Sequence, residues 1–305
     1  MKVLVTGGSG LVGHAVQAIA PDWLYPTSSE LNLLDKANTM EYLKNTRPDV
    51  VIHLAAKVGG LYRNLNNNEE MLVDNLMINT NIIMASEVAG VKRFIGILST
   101  CIFPDNIWYP LTESQIHMGP PHPSNEGYAY AKRMMDVHLK LSNMESTCLI
   151  PTNLFGPHDN FNIEQAHVIP ALIHKCYLAK KEGKPFVVSG SGTALRQFLY
   201  SGDFAGIIKH FVENHTPKSP HETFICAPKE EDEISIEYVA RKIARTMDYE
   251  THIQFDTTQP EGQYRKPAAN GLLLYTMKKL KFSDFDEKLV ETINWFKGQQ
   301  GDCNK

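Results

Sequence analysis

The sequence predicts an α/β protein built on a doubly wound parallel sheet. Three observations predict it: short apolar runs alternate with longer amphipathic stretches up to about residue 150, a glycine-rich turn follows the first run, and the texture changes after Thr152. Strands are expected at Lys2 to Thr6, Val50 to Leu54, Arg93 to Leu98 and Thr147 to Thr152. Each sets three or four apolar residues between polar or turn residues, the form of a strand buried on both faces. Helices are expected at Leu11 to Ala20, around Glu69 to Val88 and at Tyr128 to Leu141, where apolar positions recur at helical spacing. Beyond Thr152, loops rich in Pro, Gly, His and Asn, such as Pro151 to Asn162 and Ser189 to Thr193, interrupt shorter elements. The expected division is therefore 1-152 for dinucleotide binding, with some later segments returning to it, and 153-305 mainly for a smaller C-terminal α/β substrate-binding subdomain. No internal repeat or low-complexity linker separates the two, so they are expected to share a cleft.

Composition narrows the class of partner. With 305 residues, 43% hydrophobic and 21% charged, the chain is long enough for a large core and is not disordered. A net charge of -4 with both signs interspersed offers no cationic face for nucleic acid or anionic lipid. Cys101, Cys148, Cys176, Cys226 and Cys303 are an odd, widely spaced set without a CxxC pair, which argues against a disulfide framework or zinc site and for reduced thiols in the cytoplasm. The first apolar run is too short for a signal peptide and no run reaches membrane-spanning length, so the sequon at Asn214 is expected to be unused.

Gly7-Gly8-Ser9-Gly10-Leu11-Val12-Gly13 ends the first strand and opens the first helix, reading as GxxGxxG at Gly7, Gly10 and Gly13. One glycine permits the tight turn, one lets the backbone approach a pyrophosphate and one lets helix pack on sheet, with the anion at the helix N-terminus. This is the arrangement of a Rossmann-type sheet. At the end of the second strand, where an acid would select NAD through the ribose hydroxyl, the chain reads Tyr25-Pro26-Thr27-Ser28-Ser29. Hydroxyls such as Ser28 suit a 2′-phosphate, so NADP is preferred, while Glu30, one or two residues late, keeps NAD open.

Tyr128 and Lys132 stand four apart at the start of a helix and project from one face. An adjacent ammonium is expected to lower the cost of the phenolate and fit the tyrosine to protonate a carbonyl oxygen. Ser99 closes the strand before them, putting its hydroxyl at the carboxyl edge of the sheet.

The series from Gly7 to Lys132 resembles the extended short-chain dehydrogenase/reductase family, in which Ser, Tyr and Lys form the catalytic triad; the match assigns Ser99, Tyr128 and Lys132. Within it, the segments Ser99 to Asp105, Gly119 to His122, Tyr128 to Met134, Pro151 to Asn162, His167 to Pro170, Gly190 to Thr193, Arg196 to Phe198 and Gly262 to Lys266 are similar to the GDP-L-fucose synthases, over nearly the whole chain. The resemblance implies conversion of GDP-4-keto-6-deoxy-D-mannose by epimerisation at C3 and C5, then NADPH-dependent reduction at C4. It matches the family's cysteine and histidine to Cys101 and His167. A Cys101 thiolate, lowered in pKa by a nearby cation, would take the proton alpha to the ketone, and protonated His167 would return one from the other side.

The resemblance also implies that Gly7, Gly10, Leu11, Val12, Gly13, Ser28, Lys132, Asn153 and His167 line the dinucleotide. Lys175, Arg196 and Lys266 would meet the GDP diphosphate, and a homodimer would form through the helices ending near Val88 and beginning at Tyr128. One departure is Ser189, where the family is expected to carry tryptophan, which bears on the guanine contact. Cys101-Ile102 stands where 4,6-dehydratases carry Asp-Glu, which disfavours dehydration. Another nucleotide-sugar 4-reductase or epimerase, and a noncatalytic NADP-sensing protein, remain as alternative readings.

Overall fold

The computed structural model describes residues 1–60, 64, 66–259 and 263–301. Gly262 and Cys303 lie outside the described residues. Five parallel strands form the central sheet in the order β1 (Val3–Thr6), β2 (Val50–His53), β3 (Arg93–Ile97), β4 (Glu145–Pro151) and, far along the chain, β9 (His221–Cys226). Fold class and all four expected strands agree with the sequence reading, within about two residues at each end.

The physical basis is period-two burial on two covered faces. Val3, Val5, Val50, Ile52, Ile95, Ile97 and Leu149 point to one side, where Val16 of α1 (Leu11–Ile19) and Phe204, Ile208 and Phe211 of α6 (Ser201–Glu213) cover them. Leu4, Val51, Phe94, Cys148 and Ile150 point to the other, against Leu43 of α2 (Lys36–Thr46), Ile82 and Ile83 of α3 (Asn68–Ala89), and Met135 and Leu139 of α4 (Glu126–Leu141). Apolar residues thus point both ways along one strand. That is why the strands read as unbroken runs and not as alternation.

Two elements differ from the reading. The strand expected just before Tyr25 is reduced to Leu24, which bridges Leu4 through Val5 N to Leu24 O at 2.8 Å and Leu24 N to Val3 O at 2.9 Å. Helix α2 was not legible, because its inward residues are few; Asp35 caps it by accepting from the Ala37 and Asn38 amides.

The second core gathers Phe155 of β5 (Asn153–Phe155), Ile173 of α5 (Val168–Glu182), Phe186 of β6 (Phe186–Ser189), Ile243 of α7 (Ile236–Thr246) and Phe296 of α9 (Phe285–Gln299). Short strands pair around it: β5 with β8 (Phe198–Tyr200), β6 with β11 (Ile253–Asp256), and β7 (Leu195–Arg196) with β10 (Ile234–Ser235). The two parts are stitched by Gly60, whose amide donates to Gln165 O at 2.8 Å and whose Cβ, if present, would lie 2.5 Å from Ala166 O.

Gly7→Ala is expected to destabilise the fold, since φ of +73° is left-handed and the new Cβ would sit 2.7 Å from Ala55 N. Gly90→Ala shares the conformation, with φ of +75°, but meets nothing within 4 Å. Urea unfolding is expected to show a loss of about 1 kcal/mol for Gly90→Ala and a clearly larger one for Gly7→Ala. Equal losses would mean that the Ala55 contact relaxes freely.

Candidate active site

The carboxyl ends of neighbouring strands deliver the candidate residues to one edge, where open α/β sheets bind ligands. β1 runs into the glycine turn, β2 into residues 54–60, β3 into Ser99, and β4 into Asn153. The three glycines carry distinct duties. Gly7 makes the left-handed turn; Gly13 lets α1 lie on it, since a Cβ there would be 2.3 Å from Gly7 O. Gly10 is the N-cap, its Cβ position meets only Gly7 O at 3.5 Å, and α1 has neither a side-chain cap nor an acidic residue in its first turn. Leu11 and Val12 add the next amides. Those uncapped amides and that open space fit a phosphate.

Ser28 is exposed in the turn after Leu24. Glu30 is not displaced from that turn: its carboxylate accepts from the Thr27 amide at 2.7 Å and the Thr27 hydroxyl at 2.8 Å. These bonds hold its carboxyl below the ordinary range.

Tyr128, the third residue of α4, and Lys132 lie on one helix face, with the Lys132 ammonium 5.7 Å from the Tyr128 ring centroid. Lys132 is 1% exposed and donates to Ile97 O at 2.7 Å. Its neighbour Arg133 donates through Nε to Ile102 O at 2.6 Å and through Nη1 to Gly119 O at 2.7 Å. Ile97 and Ile102 flank the Ser99 to Cys101 turn, so one helix holds both ends of it. Inside the turn, Ser99 Oγ accepts from the Cys101 amide at 3.4 Å.

Electrostatically, three expectations are corrected. Tyr128 is pushed up and not down, because burial, seconded by Cys101, raises it, and the Lys132 ammonium is engaged by the Ile97 carbonyl. The Cys101 thiol is likewise pushed up by burial, against the Ser99 hydroxyl, Lys266 and Lys132. His167, the N-cap residue of α5, lies at an exposed position, yet desolvation of its ring pushes its pKa down and favours the free imidazole. Lys132 itself is lowered by burial to about 8, with Cys101 and Cys148 opposing.

The remaining candidates divide. Lys266 approaches Cys101 from the second part of the chain and also feels Asp105 and Arg196, while Arg196 feels Glu233 and Tyr109; burial lowers both cations. Arg196 donates to its own Leu195 O at 2.7 Å. Asn153 is exposed at the rim and donates to Gln197 O at 3.0 Å. Lys175 lines a cavity of about 660 Å³ with Asn66, Glu70 and Ile163. Ser189 is exposed at the end of β6.

Two groups escaped the sequence reading. Arg133 follows Lys132 and could have been suspected as a second cation on a largely buried helix. His53, wholly buried, lies 2.8 Å from Thr6 Oγ1 and 3.0 Å from Asn79 Oδ1, and Asn79 donates to Ala131 O at 3.2 Å. This chain of contacts ties β1 to the turn of α4 before Lys132. Burial first, then Lys132, lowers His53 to about 3. A histidine ending an apolar strand was its only signal.

A strand-turn-helix glycine cradle with Ser, Tyr and Lys converging at a parallel sheet edge defines a dinucleotide-dependent oxidoreductase or epimerase class. The profile of the NAD dependent epimerase/dehydratase family matches residues 3–227, and the chain belongs to that family. Among its relatives are GDP-L-fucose synthases of Dictyostelium discoideum, 43% identical across 96% of this chain and 94% of that one, and of Escherichia coli, 31% identical across 97% and 96%. A GDP-L-fucose synthetase structure from Naegleria fowleri bound to NADP superposes with a TM-score of 0.91 at 41% identity, covering 99% of this chain and 94% of that one.

Arg133→Met is expected to cost about 3 kcal/mol in urea unfolding, since Ile102 O and Gly119 O lose charged donors. Iodoacetamide should also alkylate Cys101 faster in the folded variant. An unchanged rate would mean that the turn keeps its shape without the guanidinium.

Proposed function

We propose that the protein converts GDP-4-keto-6-deoxy-D-mannose to GDP-L-fucose, by epimerisation at C3 and C5 and NADPH-dependent reduction at C4. The observation that carries the reading is Cys101, two residues beyond Ser99 in a turn held by Lys132 and Arg133 and faced by Lys266, in a chain 43% identical to a GDP-L-fucose synthase. Plain reduction needs only cofactor and triad. Inverting a centre beside a ketone needs one further base and one further acid.

Bound NADPH would supply the hydride for C4. Gly7, Gly10, Leu11, Val12 and Gly13 would receive its pyrophosphate, Ser28 its 2′-phosphate, and Lys132, Asn153 and His167 its nicotinamide end. Tyr128, held protonated by burial, gives its proton to the C4 oxygen as charge develops there. Ser99 orients that oxygen, and Lys132 stabilises the phenolate left behind. Cys101 and His167 begin as thiol and free imidazole, one proton donor and one acceptor, which is the complement that inversion at a carbon requires. Thiolate base and imidazolium acid are the same pair after the proton passes from sulfur to nitrogen. Lys175, Arg196 and Lys266 would neutralise the diphosphate.

Apolar residues exposed on α3 and α4, among them Val73, Met77, Met134 and Leu141, support a homodimer through these helices. Residues 1–152 would serve the dinucleotide and 153–305 mainly the sugar nucleotide. Cys101, Cys148, Cys176 and Cys226 are free, in keeping with a cytoplasmic protein, and no described helix is long and apolar enough to cross a membrane.

Cys101→Ser is expected to abolish GDP-L-fucose formation and deuterium exchange at C3 and C5 while NADPH still binds; unchanged turnover sinks the reading, and an unepimerised product from the wild type leaves a simple 4-reductase. The pH dependence of exchange is expected to be a broad plateau across neutrality. Its acid limb should lie below the ordinary imidazole value of 6.5, because burial lowers His167, and its alkaline limb above the ordinary thiol value of 9.0, because burial raises Cys101. Limbs closing inward of those values would contradict the assignment.

A further inference from the structure

One turn along α4 beyond Lys132, four residues from four different segments converge. Asp136 of α4 and Cys148 of β4 are buried, His221 opens β9 with its side chain 14% exposed, and His117 precedes α4 with its side chain 48% exposed. Asp136 Oδ2 lies 2.9 Å from His117 Nε2, and Oδ1 lies 3.1 Å from His221 Nε2. One ligand atom each from Asp136, Cys148 and His221 all fall within 4.8 Å of one another. None of these groups enters the chemistry proposed above.

We propose that Asp136, Cys148 and His221, with His117 as a fourth ligand, form a binding site for a zinc-class divalent cation. The donor set is one thiolate, two imidazoles and one carboxylate, which is what a borderline-soft tetrahedral ion takes. At metal–ligand distances of about 2.0–2.1 Å, the observed 3.1 Å between Asp136 Oδ1 and His221 Nε2 subtends roughly 100° at the metal, close to tetrahedral. Sulfur must draw in to about 2.3 Å from the ion, and half-exposed His117 would exchange its 2.9 Å contact with Asp136 Oδ2 for the fourth position.

The shell behind the ligands is in place as well. His221 Nδ1 lies 2.7 Å from Ser146 Oγ, whose hydroxyl donates to Leu139 O at 3.4 Å. In the metal-free protein Nε2 faces the Asp136 carboxylate and carries the proton toward it; with an ion on Nε2 the ring would carry N–H at Nδ1, where Ser146 Oγ can accept. The proton balance is simple. On binding, the Cys148 S–H bond breaks, a sulfur–metal bond forms and one proton leaves to solvent; the His221 imidazole moves its proton from Nε2 to Nδ1, which frees the Nε2 lone pair without changing the count. The ion would cross-link α4, which carries Tyr128 and Lys132, to β4 and β9.

Cobalt(II) added to the full-length protein tests this directly, because cobalt in a zinc site gives tetrahedral ligand-field bands and a thiolate charge-transfer band. One equivalent is expected to produce both in the wild type and in Cys101→Ser. Cys148→Ser should lose the charge-transfer band, and His117→Ala, a partly exposed position, should weaken binding about tenfold without unfolding the protein. No bands in the wild type, a charge-transfer band that survives in Cys148→Ser, or one that vanishes in Cys101→Ser would overturn the assignment. Should Cys148→Ser fail to fold, an unaltered affinity in His117→Ala, with the band lost in Cys101→Ser, would do so on its own.

Discussion

Two adjacent cations on one helix govern the geometry of the candidate active site. Lys132 and Arg133 reach carbonyls on opposite sides of a five-residue span, Ile97 before it and Ile102 at its end, and the Ser99 hydroxyl and Cys101 thiol stand between them. Because Tyr128 rises from the same helix one turn earlier, phenol, hydroxyl and thiol are referred to a common rigid body and not to three loops. The His53 and Asn79 contacts carry the same frame back to β1, whose end is the glycine turn. The glycine turn and the candidate reacting groups are thereby linked through buried polar contacts.

Burial acts on the reacting groups in one consistent direction. Tyr128 and Cys101 are driven toward their protonated neutral forms, His167 toward the free base, and Lys132 toward easier loss of its proton. Each shift disfavours the charged form. A diphosphate-bearing substrate and a dinucleotide would bring charge of their own into that setting, next to Arg196 and Lys266, whose guanidinium and ammonium are themselves held where water is scarce.

The parts of this arrangement that were legible in the sequence are those encoded by local pattern. Buried parallel strands announce themselves as apolar runs, the GxxGxxG spacing follows from turn and helix geometry, and Tyr128 with Lys132 follows from the helical repeat. Protonation states were not legible. A neighbouring ammonium can be read from spacing, but the desolvation that overrides it depends on what the rest of the chain stacks above the group. The same holds for Leu24, a strand shrunk to one bridge, and for His53 and Arg133, whose partners Thr6 and Ile102 lie 47 and 31 residues away. Glu30 shows a subtler failure: counted along the chain it is late for the ribose, yet a turn folds its carboxylate back onto Thr27.

The contact at Gly60 bears on how the molecule can move. The amide that meets Gln165 O belongs to the segment leaving β2, and Gln165 stands two residues before His167. With no side chain to hold the backbones apart, the mount of the imidazole rests on the segment leaving β2, although His167 opens a helix packed into the second core. A rocking of the outer lobe to admit a bulky sugar nucleotide would therefore pivot near this seam, where displacement is smallest. The His167 imidazole would stay in register with the sheet edge while the rest of its lobe travels.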